Sequence, residues 1–394
     1  MPEAIELGPL EQAHPPGGAS SAVRPAPSGS DGRPPLVVHV FPTFAVGGAQ
    51  ARFAAIANHF GPAFRHMVVS LDHDLACRDR LRPDLDVTFP HVQAPKGAML
   101  ANALTFRRLL RVWRPDVLVT GNWGAIEFAL ANLPAVTRHI HIVDGFGPEE
   151  RRGQIRRRIW VRRLALCGSL VVLPSHNLVR IATDVWKLNP RLVRYVPNGI
   201  DLGRFAVDAR PREPGAPGVI GTIAALREEK NLPRLMRSFA MAAEGIDARL
   251  MIVGDGPKMA ELRALAQSLG IVDRCVFTGH RDDTPSLYAQ FDVFALSSDT
   301  EQMPLSVIEA MASGLPVAAT DVGDVRSMLA DENAGYVATL DDRALAASLT
   351  ALLRDPGARA AIGAANRAKA RRDFGQDAMF AAYRGLWEGT VPPR

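Results

Sequence analysis

Short apolar runs recur along the chain, separated by stretches whose apolar residues fall at helical spacing. The first run is LVVHV, opening at Leu36. MVVSL at 67–71, DVLVT at 116–120, RHIHIV at 138–143, LVVLP at 170–174 and VRYV at 193–196 follow. After Gly48, the residues Phe53, Ile56, Ala57 and Phe60 keep the i, i+3, i+4, i+7 rhythm of an amphipathic helix. Strands alternating with helices predict an α/β chain with parallel sheets covered on both faces. The pattern breaks after PNGIDLGRF (197–205), where VDARPREPGAPG (207–218) reads as a polar, Pro/Gly-rich linker. A second series then begins: VIGTIA at 219–224, RLMIVG at 249–254, CVFTG at 275–279, DVFAL at 292–296 and PVAAT at 316–320.

The expected organisation is two doubly wound, Rossmann-like halves, 35–205 and 206–375, each presenting the C-terminal ends of its strands to a shared cleft. Residues 376–394 are expected to form a last helix that crosses back to the first half. Residues 1–34 are rich in Pro, Gly, Ala and Ser, bury too little apolar surface to fold, and read as a disordered tail.

Composition narrows the classes without choosing among them. A chain of 394 residues with 47% hydrophobic positions has ample length for real cores. Its three cysteines, Cys77, Cys167 and Cys275, lie far apart, which argues against a disulfide framework or a zinc site. No apolar run reaches the roughly 18 residues of a bilayer-spanning helix, and the N-terminus lacks a signal-peptide pattern. The expectation is a cytoplasmic protein. A net charge of +5 favours anionic partners without naming one.

The most informative stretch is TEQMPLSVIEAMASGLPV (300–317). A buried strand precedes it. Pro304 suits the first turn of a helix, and Gly314 suits its end. Glu301 then lies in the strand-to-helix loop and Glu309 more than a turn inside the helix. The free N–H groups of a helix start favour an anion. Carboxylates on either side of it can accept bonds from hydroxyls, and an anion flanked by hydroxyls describes a sugar nucleotide. The competing reading makes Glu309 a solvated helix residue and Glu301 a loop charge; spacing alone leaves both open.

The segment resembles the E-x7-E signature of the GT-B fold retaining glycosyltransferases of family four, glycosyltransferase group 1. The match runs through Glu301, Pro304, Glu309, Ala310, Met311, Ala312, Gly314 and Pro316-Val317. The resemblance implies that Glu301 contacts the transferred sugar and Glu309 the ribose. It also implies that the backbone of Gln302, Met303, Pro304 and Leu305 helps hold the diphosphate. Gln302 departs from the family's usual glycine. Other matches follow in the family's order over most of 36–380. Gly47 and Gly48, after the first strand, fall on a loop that faces the donor phosphates in the family; by themselves they are compatible with an ordinary βα turn. Arg227 and Lys230 follow a strand and could neutralise a diphosphate. The family's clamp arginine falls on Ala225 here, while Lys230 matches its lysine. Gly279 and His280 correspond to positions near the nucleotide base, where backbone is expected to carry the contact. VPNGID (196–201) matches the family's junction between halves.

On the acceptor side, His139 and His141 alternate along a strand and so point the same way. The DGFG loop that follows places Asp144 where relatives carry a histidine near the sugar. Asp144 can orient hydroxyls or cap its loop. Seven arginines (151, 152, 156, 157, 158, 162 and 163) are interleaved with Ile155, Ile159 and Trp160, which reads as a basic amphipathic helix. Its candidate roles are a solvated face or contact with an anionic membrane surface or lipid diphosphate. Nucleic acid is disfavoured because no aromatic platform accompanies the charge. D-x-D occurs at 72–74 and 84–86, but the two-half layout argues against a single-domain, metal-dependent transferase. The expectation is a hexosyl-type transferase that needs no metal or cofactor. It would take a nucleoside diphosphate sugar as donor and a glycan or lipid-linked hydroxyl as acceptor, and would be peripheral at the inner membrane face. The alternatives are a sugar-nucleotide epimerase of the same fold and a non-catalytic binder of sugar nucleotides or polyanions.

Overall fold

The computed structural model describes residues 32–95, 97–150, 153–206 and 215–390. Arg151, Arg152, most of the expected tail and most of the 207–218 linker lie outside them. The chain divides into two compact units, 1–196 with 379–394, and 197–378. The division thus falls at the VPNGID junction, ahead of the Pro/Gly-rich stretch.

Among the described residues, the first unit holds seven parallel strands: β1 (Leu36–Phe41), β2 (Arg65–Ser70), β3 (Val87–Thr88), β4 (Val117–Gly121), β5 (Arg138–Ile142), β6 (Leu170–Leu173) and β7 (Val193–Tyr195). Their order is β3-β2-β1-β4-β5-β6-β7. The helices are α1 (Gly48–Phe60), α2 (Met99–Trp113), α3 (Ile126–Ala131), α4 (Arg156–Ala165) and α5 (His176–Arg180). The apolar runs are continuous because both sheet faces are covered. On one face Val37, Val117, Ile140 and Val172 pack with Ile56 and Phe60 of α1. On the other, Val38, Val40 and Leu118 pack with Phe106 and Leu110 of α2.

Among the described residues, the second unit holds six parallel strands: β8 (Gly218–Ile223), β9 (Ala248–Val253), β10 (Cys275–Gly279), β11 (Val293–Leu296), β12 (Val317–Thr320) and β13 (Val337–Ala338). Their order is β10-β9-β8-β11-β12-β13. Its helices are α6 (Leu232–Ala242), α7 (Met259–Ser268), α8 (Thr284–Tyr288), α9 (Leu305–Ala312), α10 (Val325–Met328), α11 (Asp342–Arg354) and α12 (Pro356–Asp373). The last helix, α13 (Gln376–Glu388), buries Met379, Phe380, Tyr383, Leu386 and Trp387 in the α1 side of the first unit's core. The two shortest strands, β3 and β13, each lie at a sheet edge. With two residues apiece, they carry no periodicity to read.

Each sheet changes direction at one place, between β1 and β4 in the first unit and between β8 and β11 in the second. Strands diverge there, and the loops at their C-terminal ends leave an opening for a ligand. In the first unit those loops carry Gly47-Gly48 and Asn122. In the second they carry Arg227 with Lys230, and the 297–304 segment with Glu301.

Candidate active site

In the second unit, β11 delivers a polar loop directly to the switch point. Pro304 caps α9 in extended conformation, and α9 ends before Gly314, whose φ of +74° continues no right-handed helix. Glu301 Oε1 accepts from Lys230 Nζ at 2.5 Å and from Ser298 Oγ at 2.8 Å. Both bonds fall on one carboxylate oxygen. The loop's shape is held from several sides. Thr320 Oγ1 donates to the Ser298 carbonyl at 2.6 Å, and Asn198 Nδ2 to the Met303 carbonyl at 3.1 Å. The Asp324 amide donates to the Gln302 carbonyl at 3.0 Å. Asp299, beside Glu301, is turned away to Arg234 at 2.7 Å and Asn231 at 2.9 Å. Gly323, at φ +57°, lets a neighbouring turn press against this loop: a Cβ there would meet the Glu301 carbonyl oxygen at 2.3 Å.

Lys230 and Arg227 occupy one short turn but differ in role. Lys230 is engaged with Glu301, while the Arg227 residue is exposed. The turn itself is locked by the GDGP segment at 254–257. Gly254 and Gly256 have φ of +135° and +154°, and side chains there would strike the backbone of Ala224 and Leu226. The Leu226 amide donates to the Asp255 carbonyl at 2.9 Å. Gly279 ends β10 with φ +71°, and His280 beyond it is exposed, 3.4 Å from Asp282.

Glu309 is not a solvated helix residue. The Tyr288 hydroxyl lies 2.8 Å from Glu309 Oε2 and 3.0 Å from the Ser306 carbonyl. Burial pushes the Glu309 carboxyl up to about 7, against smaller opposing pulls from the Tyr288 bond and the Arg204 charge.

In the first unit, Gly47 caps α1 in extended backbone and helix begins at Gly48. One turn on, Arg52 forms a two-pronged pair with Asp144, at 2.6 and 3.1 Å. Asn122 holds the same loop. Its φ is +56°, its amide donates to the Ile142 carbonyl at 2.8 Å, and its Oδ1 accepts from the Asp144 amide at 2.8 Å. Burial alone would pull Arg52 down, but Asp144 and Tyr383 outweigh it and the guanidinium stays charged. A recess at the β1/β4 switch point is lined by Gln50, Arg52, Asn122, Asp144 and Tyr383. His139 and His141 do share one side of the strand: their rings meet the Thr120 hydroxyl at 2.8 and 2.7 Å. Both are buried, and burial holds His139 down at about 3 and His141 well below its ordinary value. They are neutral packing groups near pH 7.

The basic run needs correction. The helix begins only at Arg156, and two of its arginines turn inward. Arg162 is 3% exposed, forms a two-pronged pair with Glu150 at 2.8 and 2.5 Å, and lies against the Trp123, Phe146 and Trp186 rings. Arg158 lies 3.4 Å from Glu150 and over Trp123. The outward face keeps Arg156, Arg157, Arg163, Trp160 and Leu164. Arginine spacing could not distinguish the two sets, because the acidic and aromatic partners lie on other elements.

Sequence reasoning also passed over Arg52, Asn122, Ser298, Tyr288 and Gly323. Arg52 follows Gly47-Gly48 by about one helical turn; the others carry no local signature. Among the described residues, no group of three or more His, Cys, Asp or Glu side chains is gathered as metal ligands, and no helix is long and apolar enough to cross a membrane.

Two parallel-sheet units, each with a polar switch point, define an α/β architecture of the GT-B type. Residues 46–204 match the family described as Glycosyltransferase Family 4, and residues 204–369 match Glycosyl transferases group 1. The chain belongs to the group 1 glycosyltransferases. It is 29% identical over 166 residues to an N-acetyl-alpha-D-glucosaminyl L-malate synthase of Bacillus anthracis, covering 42% of this chain and 44% of that one. It is 28% identical over 267 residues to a UDP-Gal:alpha-D-GlcNAc-diphosphoundecaprenol alpha-1,3-galactosyltransferase of Escherichia coli, covering 62% of this chain and 67% of that enzyme. The match therefore spans less than half of the first relative and about two thirds of the second. An Anabaena protein crystallised with UDP-glucose has the same fold, with a TM-score of 0.76 at 19% identity over 91% of this chain and 100% of that one.

Proposed function

We propose that this protein moves a hexose-type sugar from a nucleoside diphosphate sugar to an acceptor hydroxyl with retention of configuration. The observation that carries the reading is the Glu301–Lys230–Ser298 cluster at the second unit's switch point. A bound donor would place its diphosphate by Lys230 and by the amides of Gln302, Met303 and Leu305; Pro304 contributes none. Lys230 would stabilise charge growing on the leaving diphosphate, with Arg227 reaching in from its exposed position. Glu301 Oε2, which carries neither of the bonds made to Oε1, would accept from sugar hydroxyls. Glu309 would accept from ribose. Gly279 and His280 would border the base. Asp144, held by Arg52 and Asn122, would orient hydroxyls on the acceptor side. The attacking hydroxyl would give its proton to the departing phosphate oxygen on the same face of the sugar. The reading needs no metal or other cofactor.

A glycan or lipid-linked acceptor is favoured by the E. coli relative, whose name specifies a diphosphoundecaprenol substrate. The outward side of α4 supports an anionic membrane partner: Trp160 is 65% and Leu164 61% exposed, among Arg156, Arg157 and Arg163. On α2, Leu100 and Leu104 are exposed with Arg108 and Arg111. Apolar anchors among arginines suit a charged lipid surface. The protein would then work at the cytoplasmic membrane face.

The test is a panel of nucleoside diphosphate sugars with and without acceptor, with the product anomer read by NMR. Release of nucleoside diphosphate only with acceptor, giving a retained anomer, supports the proposal. An isomerised sugar without acceptor indicates an epimerase, and binding without turnover indicates a non-catalytic binder. Glu301→Gln should lower turnover by on the order of 100-fold with the fold intact, and wild-type rates in that variant would remove Glu301 from the mechanism.

A further inference from the structure

Tyr288 is fully buried at the end of α8, and its hydroxyl faces two acceptors on α9 one turn apart, the Ser306 carbonyl and the Glu309 carboxylate. A phenol has one proton to donate. When Glu309 is ionised, that proton goes to Oε2. When Glu309 is protonated, its own O–H donates to the phenol oxygen, and the phenol donates to the Ser306 carbonyl. The geometry satisfies both states without moving a heavy atom, which a bond to an obligate donor such as lysine would not do.

We infer that Tyr288 is a positioning residue that holds Glu309 Oε2 and lets the carboxyl exchange between a charged and a neutral form, so that donor binding is gated by proton uptake at this pair. This rests on Glu309 accepting from the donor's ribose hydroxyls. The ionised form accepts from the ribose hydroxyls through charge-assisted bonds; the neutral form, its proton placed on Tyr288, offers them only a weaker neutral acceptor.

The surroundings leave the pair free to titrate. On the 201–206 segment, Arg204 draws Glu309 toward the charged form. On α12, Arg367 is committed to the Ser313 carbonyl at 2.8 Å, at the far end of α9. Lys369 bonds the Ser327 and Leu329 carbonyls, each at 2.8 Å. The strands beneath, VFAL and VAAT, carry no charge. Burial raises Glu309 into the neutral range and raises the Tyr288 phenol well above its ordinary value, so only the carboxyl changes charge there.

The test is calorimetric binding of UDP, GDP and ADP from pH 5.5 to 8.5, followed by the 2′,3′-dideoxy form of whichever binds tightest. For wild type, affinity for the ribonucleotide should fall as pH drops below about 7, by up to tenfold per unit, while the dideoxy form stays flat through the same midpoint. Tyr288→Phe removes the bond that favours the charged form. It should move the midpoint upward and weaken the ribonucleotide by about tenfold at pH 7, with recovery toward pH 8.5 and little change for the dideoxy form. Glu309→Gln should remove the midpoint. If Tyr288→Phe weakens both nucleotide forms equally at every pH, the residue is packing alone and the inference fails while the donor site stands. If wild type binds none of the three, the donor-site reading fails and the inference with it. Near-ultraviolet circular dichroism of Tyr288→Phe reports whether the fold is kept; if it is not, Tyr288→Trp, whose N–H can only donate, must hold the carboxyl charged and move the ribonucleotide midpoint downward, and an unmoved midpoint overturns the inference.

Discussion

The Arg162–Glu150 pair yields a sharp test of how the first unit is built. Glu150→Gln keeps the shape of the side chain but leaves the Arg162 guanidinium uncompensated among Trp123, Phe146 and Trp186. Both residues are 3% exposed, so water cannot replace the lost charge. Removing one partner of a buried pair costs about 3–5 kcal/mol. For a unit of this size, roughly 200 residues, each kcal/mol shifts the midpoint by about 2–4 °C. The first unit's transition should therefore fall by roughly 6–20 °C, which scanning calorimetry with near-ultraviolet circular dichroism would resolve. The double variant Glu150→Gln/Arg162→Met removes the stranded charge and should recover much of the loss. The pair also predicts a pH response. Burial pushes Glu150 up, but the Arg162 guanidinium outweighs it and holds the carboxyl below its ordinary value. An acid depressed on folding contributes stability above its unfolded pKa and loses it as pH falls through the folded one. Wild type should lose this contribution on acidification and Glu150→Gln should not. A loss under about 1 kcal/mol in the single variant, or a double variant as damaged as the single, would refute the reasoning.

Other outcomes follow from the same physics. Gly323→Ala forces a Cβ toward the Glu301 carbonyl oxygen at a φ of +57°; it should cost about 1–3 kcal/mol and weaken nucleotide binding, measured by urea melts and calorimetry. Glu309 is raised from 4.5 to about 7 on folding. The folded state therefore binds more protons between those values, and stability falls as pH rises through them, by about 3 kcal/mol in all. Glu309→Gln should remove that decline, so its melting midpoint relative to wild type climbs with pH; a constant difference would count against a raised carboxyl. Replacing Arg156, Arg157 and Arg163 by Ala should abolish sedimentation with vesicles containing phosphatidylglycerol while leaving melting unchanged. Undiminished sedimentation would exclude this face as the membrane contact.

Much of the fold is legible along the chain because parallel strands covered on both sides are written as continuous apolar runs, each recognisable without knowing its neighbour. The junction at 196–201, the helix start at Pro304 and the loop position of Glu301 are likewise local. The order of strands is not local, nor are the edge strands β3 and β13, whose two-residue ladders rest on their neighbours. The basic run shows the same limit. Arg162 and Arg163 are adjacent and chemically identical, yet one is enclosed by three aromatic rings from distant elements and the other is exposed.

What the sequence determined by itself is the alternation of strand and helix, the two halves, and the placing of a carboxylate before a helix and another inside it. Backbone preference and apolar spacing are short-range properties, so a single stretch carries them whole. Only the tertiary structure decided what those carboxylates do. Glu301 meets Lys230 because β8 and β11 are neighbours at the switch point. Glu309 is half-buried because α8 lays Tyr288 against it. Charge state and hydrogen-bond partners depend on which distant groups exclude water from a residue, and that is set when the sheets assemble.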